Sequence, residues 1–348
     1  MRLFLTSLLL AAAPLFGFAE DPPKRPAVTV DVFAGEVATV NSYIFSNGQS
    51  MIVMDVQRAT SEAKKLADVL QAKEIPLTHI LLSHGHPDHY IGMDWLHKTF
   101  PDAKIVVASQ AIKDDIIGFS SWMESVGWLD AEPTLKPKSS ANPQGFDYEA
   151  NIAVLESDTL TLPGGGELDL TVHDKPAEAA HLTTVYVRDS NSLFTGDFGY
   201  NQVHLWMGQG VTKPHIQNWR QALLALQRDL QSAIQSFTPG HGEPTDVGLF
   251  AEMIRYIDHF TRVVASATVR EQAMDEMTRH PVTQRPALFI GRHAYGIPGL
   301  SQAESEALLE RLTAFACQSP RVFAHAWEPG DVVMWDNRCV LHRARPYD

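Results

Sequence analysis

His84-Gly85-His86-Pro87-Asp88-His89 follows directly on the short apolar run His79-Ile80-Leu81-Leu82-Ser83. That run reads as a buried strand, and the six residues after it carry three imidazoles and a carboxylate. In extended chain, alternate side chains point the same way, so His84 and His86 face one point together. Gly85 permits tight backbone there, and the turn at Pro87 brings Asp88 and His89 beside the same point. Imidazole and carboxylate suit zinc, iron or manganese. A polar surface loop would not concentrate such groups this densely. The stretch is half of a metal site on the tip of a strand.

Working outward, residues 37–45 and 50–55 read as a hairpin turning at Ser46-Asn47-Gly48-Gln49. Ala63, Leu66, Ala67 and Leu70 predict a helix over 61–72 behind a Ser61 cap. A further helix leads to the strand Lys104-Ile105-Val106-Val107-Ala108. Residues 110–150 read as a helical insertion followed by a loop. Strands are expected at about 152–155, 168–173, 183–188, 192–195 and 236–238, with helices over 215–232 and from 245 to near 275. Strands alternating with helices predict a layered α/β fold around one core. Helical spacing puts Trp122 in that core. The alternative is a lid over an apolar substrate, formed with Phe119 and Trp128. His79, His97, His215 and His259 are isolated, and no chemistry is assigned to them.

The order His-x-His-x-Asp-His resembles the signature of the metallo-β-lactamase superfamily, and the resemblance runs over about residues 30–270. It implies a four-layer αββα fold and a hydrolase using two divalent metal ions, zinc first, with manganese or iron as alternatives. Carried over by position, the first metal takes His84, His86 and His181, and the second takes Asp88, His89 and His241. Asp197, in Thr195-Gly196-Asp197, bridges them. Ala180 stands where the family usually has a glycine before the third histidine, and His173 is the fallback for His181. Paired ions acidify a shared water, making hydroxide the nucleophile, and Asp88 is the catalytic carboxylate, orienting it or assisting proton transfer.

The expected substrate is a small-molecule ester, lactone, thioester or amide. Residues 1–316 contain no cysteine, so subgroups with a zinc-bound thiol are excluded, and the Asp197 bridge is closer to glyoxalase II and lactonases. A mononuclear-iron sulfur dioxygenase on the same fold and a non-catalytic metal-binding module are the alternatives, separated by metal content and oxygen uptake. Tyr200 and His204 either line the pocket or pack behind it.

Composition sets limits around this reading. With 45% hydrophobic and 20% charged residues the chain is globular, and a net charge of -13 without a Lys/Arg run excludes nucleic acid as a partner. Arg2, the apolar stretch Leu3 to Phe18 and Gly17-Phe18-Ala19 form the pattern of a secretory signal peptide over residues 1–19. The stretch falls short of the roughly 20 residues that a spanning helix needs, and Pro14 interrupts it. No membrane anchor is therefore expected after cleavage, and the location is the periplasm or outside the cell. Residues 20–36 are then a leader and 37–279 the hydrolase domain; the oligomeric state is left open.

Beyond about residue 280 the texture changes. Ala287-Leu288-Phe289, Gly291-Arg292-His293, Trp327-Glu328-Pro329-Gly330-Asp331, Trp335-Asp336-Asn337-Arg338 and Leu341-His342-Arg343 resemble the taurine dioxygenase-like iron(II)/2-oxoglutarate oxygenases. The resemblance implies a partial double-stranded β-helix over 280–348, with His342 at the distal iron ligand. A facial triad needs three protein ligands, and that family's His-x-Asp pair belongs upstream, where this chain reads as a hydrolase. The fragment is expected to lack oxygenase activity. With added iron, 2-oxoglutarate should yield no succinate; clear succinate formation would overturn this. Whether Cys317 and Cys339 pair is open, since spacing alone does not decide a disulfide.

Overall fold

Alternation along the central strands decides the layering. In β2 (Asn41–Ser46) Ile44 joins one apolar cluster while Tyr43 and Phe45 join another. The same split separates Met51 and Val53 from Ile52 and Met54 in β3 (Met51–Met54), and Ile105 and Val107 from Val106 in β5 (Lys104–Val107). Both faces of this sheet are apolar because both are covered. The first cluster takes in α1 (Thr60–Ala72), α3 (Met93–Thr99) and α4 (Gln110–Ser125). The second joins Leu168 and Leu170 of β8 (Glu167–His173), Val185 and Val187 of β9 (Leu182–Val187) and Phe194 of β10 (Ser192–Phe194).

The computed structural model describes residues 27–36, 38–208, 210–267 and 300–316. The expected signal peptide, both cysteines and the tail motifs from Ala287 to His342 lie outside these. β1 (Thr29–Ala34), β2, β3, β4 (Leu77–Leu81), β5 and β6 (Ile152–Val154) form one sheet in that order, antiparallel to β3 and parallel beyond. The other runs β11 (Ser236–Thr238), β10, β9, β8, β7 (Thr159–Thr161), with only β10 and β11 parallel. On its outer face lie α6 (Lys213–Leu230) and α7 (Gly248–Ser266), packed through Trp219, Leu223, Phe250, Met253 and Ile257. Helices, sheet, sheet, helices make the four-layer αββα fold. Between these elements lie the short helices α2 (Pro87–Tyr90) and α5 (Tyr148–Asn151), and a further helix, α8, covers Gln302–Ala316.

Three expectations change. β1 lies within residues 20–36, taken as a leader; as an edge strand it is largely exposed and shows no apolar alternation. α1 has Ala59 at its N-cap without a side-chain cap, so Ser61 is inside the helix. Trp122 is 40% exposed, because the inward stripe of α4 is Ile112, Ile116, Ser120 and Met123 and Trp122 falls out of phase with it. Among the described residues no helix is long and apolar enough to cross a membrane.

Candidate metal centre

Strand ends deliver the site to one rim of the sandwich. The chain leaving β4 reaches His84, whose backbone bridges Leu182 at the start of β9. Pro87 opens α2 in the first turn, where its missing N–H costs nothing, and Asp88 and His89 follow it. β10 runs into the 3-10 turn Gly196–Phe198, which carries Asp197. β11 runs into His241, whose backbone bridges both Val40 and Tyr200. Gly240 is required here: a Cβ would overlap Asp197 Oδ1 and the Gly196 backbone.

Two groups of possible ligands form, each with its donor atoms within 4.8 Å of one another, and they share Asp197. One holds His84, His86, Glu178 and Asp197; the other holds Asp88, His89, Asp197 and His241. His86 Nδ1 lies 3.2 Å from Glu178 Oε1, and His84 Nε2 lies 4.0 Å from Glu178 Oε2 and 3.7 Å from Asp197 Oδ2. His89 Nε2 is 3.1 Å from Asp197 Oδ1 and 3.8 Å from Asp88 Oδ2. His241 Nε2 is 3.3 Å from Asp197 Oδ2 and 3.5 Å from Asp88 Oδ2.

The fold therefore brings together His84, His86, Asp88, His89, Asp197 and His241, but not His181. Its Nδ1 lies 2.8 Å from Asp115 Oδ2 of α4, because Leu182 is already committed to the bridge with His84. Glu178, three positions earlier in the β8–β9 loop, takes the place expected of His181 and is buried. The fallback His173 is in neither group; it meets Thr184 Oγ1 at 3.0 Å, and burial pushes its pKa down to about 4. The sequence signal for Glu178 was a carboxylate between Ala177 and Ala179, three positions ahead of His181.

Asp55, missed in the sequence, orients two of the histidines. Its Oδ1 accepts from the Ser83 N–H and its Oδ2 from the Ser83 hydroxyl, each at 2.8 Å. Having donated its proton there, Ser83 Oγ accepts from His84 Nδ1 at 2.8 Å. Asp55 Oδ2 also accepts from His89 Nδ1 at 2.7 Å. Both imidazoles are thereby held as Nδ1–H tautomers with the Nε2 lone pair facing the cluster, the arrangement a metal ligand needs. The Ala38 carbonyl does the same for His241, accepting from Nδ1 at 2.8 Å. Ala38 and Asp55 sit at φ 62° and 58°, a left-handed conformation that costs about 1–3 kcal/mol at a non-glycine residue. Both are held there while they orient these rings.

Asp55→Ala should lower metal affinity about 10–100-fold. It should also destabilise the protein by about 2–4 kcal/mol, because the buried Ser83 and His89 donors lose their acceptor. Metal titration and denaturant unfolding check the two effects separately; an unchanged metal affinity would refute the orienting role.

Tyr200 and His204 resolve differently. The Tyr200 hydroxyl donates to Asp197 Oδ2 at 2.9 Å, and its ring stacks on His241 at 4.8 Å and 13°. His204 Nδ1 meets the Tyr256 hydroxyl at 2.6 Å. Tyr200 packs directly against the cluster, whereas His204 packs against α7.

Charge in the cluster is finely opposed. Burial alone lowers His86, but the Glu178 carboxylate beside it prevails and raises it to about 9. Burial pushes Glu178 up. Burial also opposes ionisation of Asp197, yet His89, His241 and His84 outweigh it and hold Asp197 well below the usual carboxylate range. Burial holds His84 well below its ordinary value. Without cations, then, protons occupy part of the cluster. Because the His86 pKa is raised, the competing protonated form persists below about pH 9 and disappears above it. Metal affinity should therefore rise with pH up to that point, with at least one proton released per chain on loading at pH 7. Calorimetry in two buffers of different ionisation enthalpy counts those protons; loading without proton release would contradict the assignment.

The residues fit metal ions on a further count. His84 Nε2, His89 Nε2, both Glu178 oxygens and Asp197 Oδ1 are buried without a hydrogen-bond partner. His89 Nε2 and Asp197 Oδ1 are close at 3.1 Å but do not align as donor and acceptor. Each unpaired buried polar atom costs about 1–3 kcal/mol, and here they converge on common points. Divalent cations at those points would satisfy all of them.

Comparison with known proteins assigns two families along the chain. The metallo-beta-lactamase superfamily model matches residues 35–241. A second family, described as taurine catabolism dioxygenase TauD, TfdA family, matches residues 218–348. The two overlap at α6, and α7, within the second match, packs against α6 in the outer layer. Among solved structures, a metallo-beta-lactamase from Pontibacter korlensis is 17% identical with a TM-score of 0.45, covering 66% of this chain and 94% of that one. The BLEG-1 B3 metallo-beta-lactamase is also 17% identical with a TM-score of 0.45, covering 64% and 97%.

Curated relatives match the C-terminal part. The (S)-phenoxypropionate/alpha-ketoglutarate-dioxygenase of Delftia acidovorans is 65% identical over 69 residues, 20% of this chain and 24% of the relative. The alpha-ketoglutarate-dependent 2,4-dichlorophenoxyacetate dioxygenase of Cupriavidus pinatubonensis is 38% identical over 134 residues, 37% and 43% of the two chains. The chain thus spans about a quarter of the length of the first of these relatives.

Proposed function

Because the chain belongs to the metallo-β-lactamase superfamily, we propose that this metallo-hydrolase is an exported binuclear enzyme acting on an ester, lactone, thioester or amide. The observation that carries the reading is the pair of ligand groups sharing Asp197, with their inward atoms unpartnered. His84, His86, Glu178 and Asp197 would hold one ion, and Asp88, His89, Asp197 and His241 the other. When bound, such ions polarise the substrate oxygen and acidify the attacking water.

The chain's own groups do the rest. Tyr200 fixes Asp197 Oδ2 through its hydroxyl, so the shared carboxylate keeps one orientation. Asp88 is the most exposed carboxylate of the cluster, and its Oδ2 takes up the proton released on attack and returns it to the leaving group. Asp55 and Ala38 hold three imidazoles in their ligating tautomer. Glu178 makes the first group harder than three histidines would, so manganese or iron competes with zinc there more strongly.

The test measures metal content and hydrolysis together on the full chain, against lactones, thioesters, phosphodiesters and β-lactams. About two divalent ions per chain, with hydrolysis of a carbonyl substrate that stops on chelation, is the expected result. One iron per chain with oxygen uptake would replace this reading by a mononuclear-iron dioxygenase. Two ions without hydrolysis of any substrate would overturn it. Export is tested by fractionating cells that express the chain: the expected product is in the periplasm or medium and begins near Glu20.

A further inference from the structure

The cluster is closed on most sides. The His84 and His89 side chains are 0% exposed and Glu178 and Asp197 are 1% and 2%, whereas His86 is 17% and Asp88 22% exposed. A substrate therefore meets the centre at His86 and Asp88. What flanks His86 is aromatic. The Trp206 ring lies 5.1 Å from the His86 ring, and the Phe119 ring 6.0 Å from it, both edge-on. From Phe119 the aromatic line continues along α4, to Trp122 at 5.3 Å and from there to Trp128 at 5.1 Å.

Phe119 and Trp206 are half-buried against the two apolar clusters, whereas the outer part of the line leaves the core. Trp122 and Trp128 are 40% and 37% exposed, while the stripe of α4 that packs inward is aliphatic. Large aromatic rings held together at a surface mark a site for an apolar ligand. Trp206 is itself seated against Gly208, where a Cβ would overlap its indole. Among the described residues, no lysine or arginine forms an ion pair with Asp88, Glu178 or Asp197.

Resting on the hydrolytic reading above, we propose that Trp206, Phe119 and Trp122 bind the apolar arm of the substrate, so that the preferred substrates are esters or thioesters carrying a long alkyl or aryl group. The reacting carbonyl sits at His86 and Asp88, and the arm leaves the centre between Trp206 and Phe119 and crosses Trp122. Trp128 extends the same line. Burying each added methylene is worth about fourfold in affinity.

The experiment uses the metal-loaded full chain and p-nitrophenyl esters from acetate to octanoate. Wild type should prefer octanoate over acetate by about tenfold or more in kcat/KM, mainly through KM. Trp122→Ala and Trp206→Ala should each lower that ratio by about fivefold. Trp95→Ala removes a comparably exposed indole on α3 that lies under Lys64 instead, and should leave the ratio as it is. A ratio unchanged in both Trp122→Ala and Trp206→Ala would overturn the proposal. So would a change of oligomeric state without a change of ratio, which would make this face an interface between copies. If neither these esters nor any substrate of the preceding test is cleaved, the hydrolytic reading fails by itself. Tryptophan fluorescence titration with octanoate and acetate still decides the track: octanoate should bind at least about tenfold tighter, an advantage reduced in Trp122→Ala.

Discussion

Glu178→Ala will leave the protein with about one divalent ion per chain instead of about two, and hydrolysis will fall about 100- to 1,000-fold, on the scale of losing one electrophilic contact in the transition state. The first ligand group contains two histidines and shares Asp197 with the second, so Glu178 supplies its one unshared negative charge. Both of its oxygens are buried without a hydrogen bond and face His84 and His86. Alanine there leaves two neutral imidazoles and a carboxylate already drawn toward the second group. His181→Ala, in contrast, should keep both ions, because His181 is engaged with Asp115. Elemental analysis of both variants decides it. Two ions in Glu178→Ala and one in His181→Ala would reverse the assignment.

Asp197→Asn is expected to be more damaging still, weakening both ions and lowering activity at least about 1,000-fold. Its carboxylate lies within 3.7 Å of His84, His89 and His241 and is buried against all three. The amide keeps the shape and can donate to an imidazole lone pair, so the metal-free fold should lose little stability, within about 1–2 kcal/mol. What it cannot supply is the shared negative charge that offsets two neighbouring cations. The expected pattern is near-normal unfolding of the metal-free protein with poor retention of both metals on dialysis. Retention of both ions would show that Asp197 is not shared.

Much of this was legible because it is local. His84 to His89 lie in consecutive residues at the end of a strand, so strand geometry alone aims them, whatever the rest of the chain does. Asp197 and His241 were legible for a related reason: each follows a short apolar strand and a glycine, Gly196 and Gly240, that lets the backbone come close. The layers were legible from apolar runs such as Met51–Met54 and Lys104–Val107, which mark strands covered on both faces. β1 was hidden because an edge strand needs no apolar alternation. Trp122 was misjudged because helical spacing identifies a stripe without saying which stripe turns inward.

The gathering of His84, His86, Asp88, His89, Asp197 and His241 into one cluster was thus legible in the sequence itself, together with the layered fold that brings them together. The choice between Glu178 and His181 belonged to the tertiary structure. They stand three residues apart in one loop, and no spacing rule separates them. Pairing of Leu182 with His84 and capture of His181 by Asp115 of α4 turn the imidazole away and leave the carboxylate facing the cluster. Asp55, 34 positions from His89 in the chain, was likewise invisible until the sheet brought β3 beside β4. Ligands that a strand end aims can be read from their order, whereas those fixed by contacts between distant elements exist only once the elements have packed.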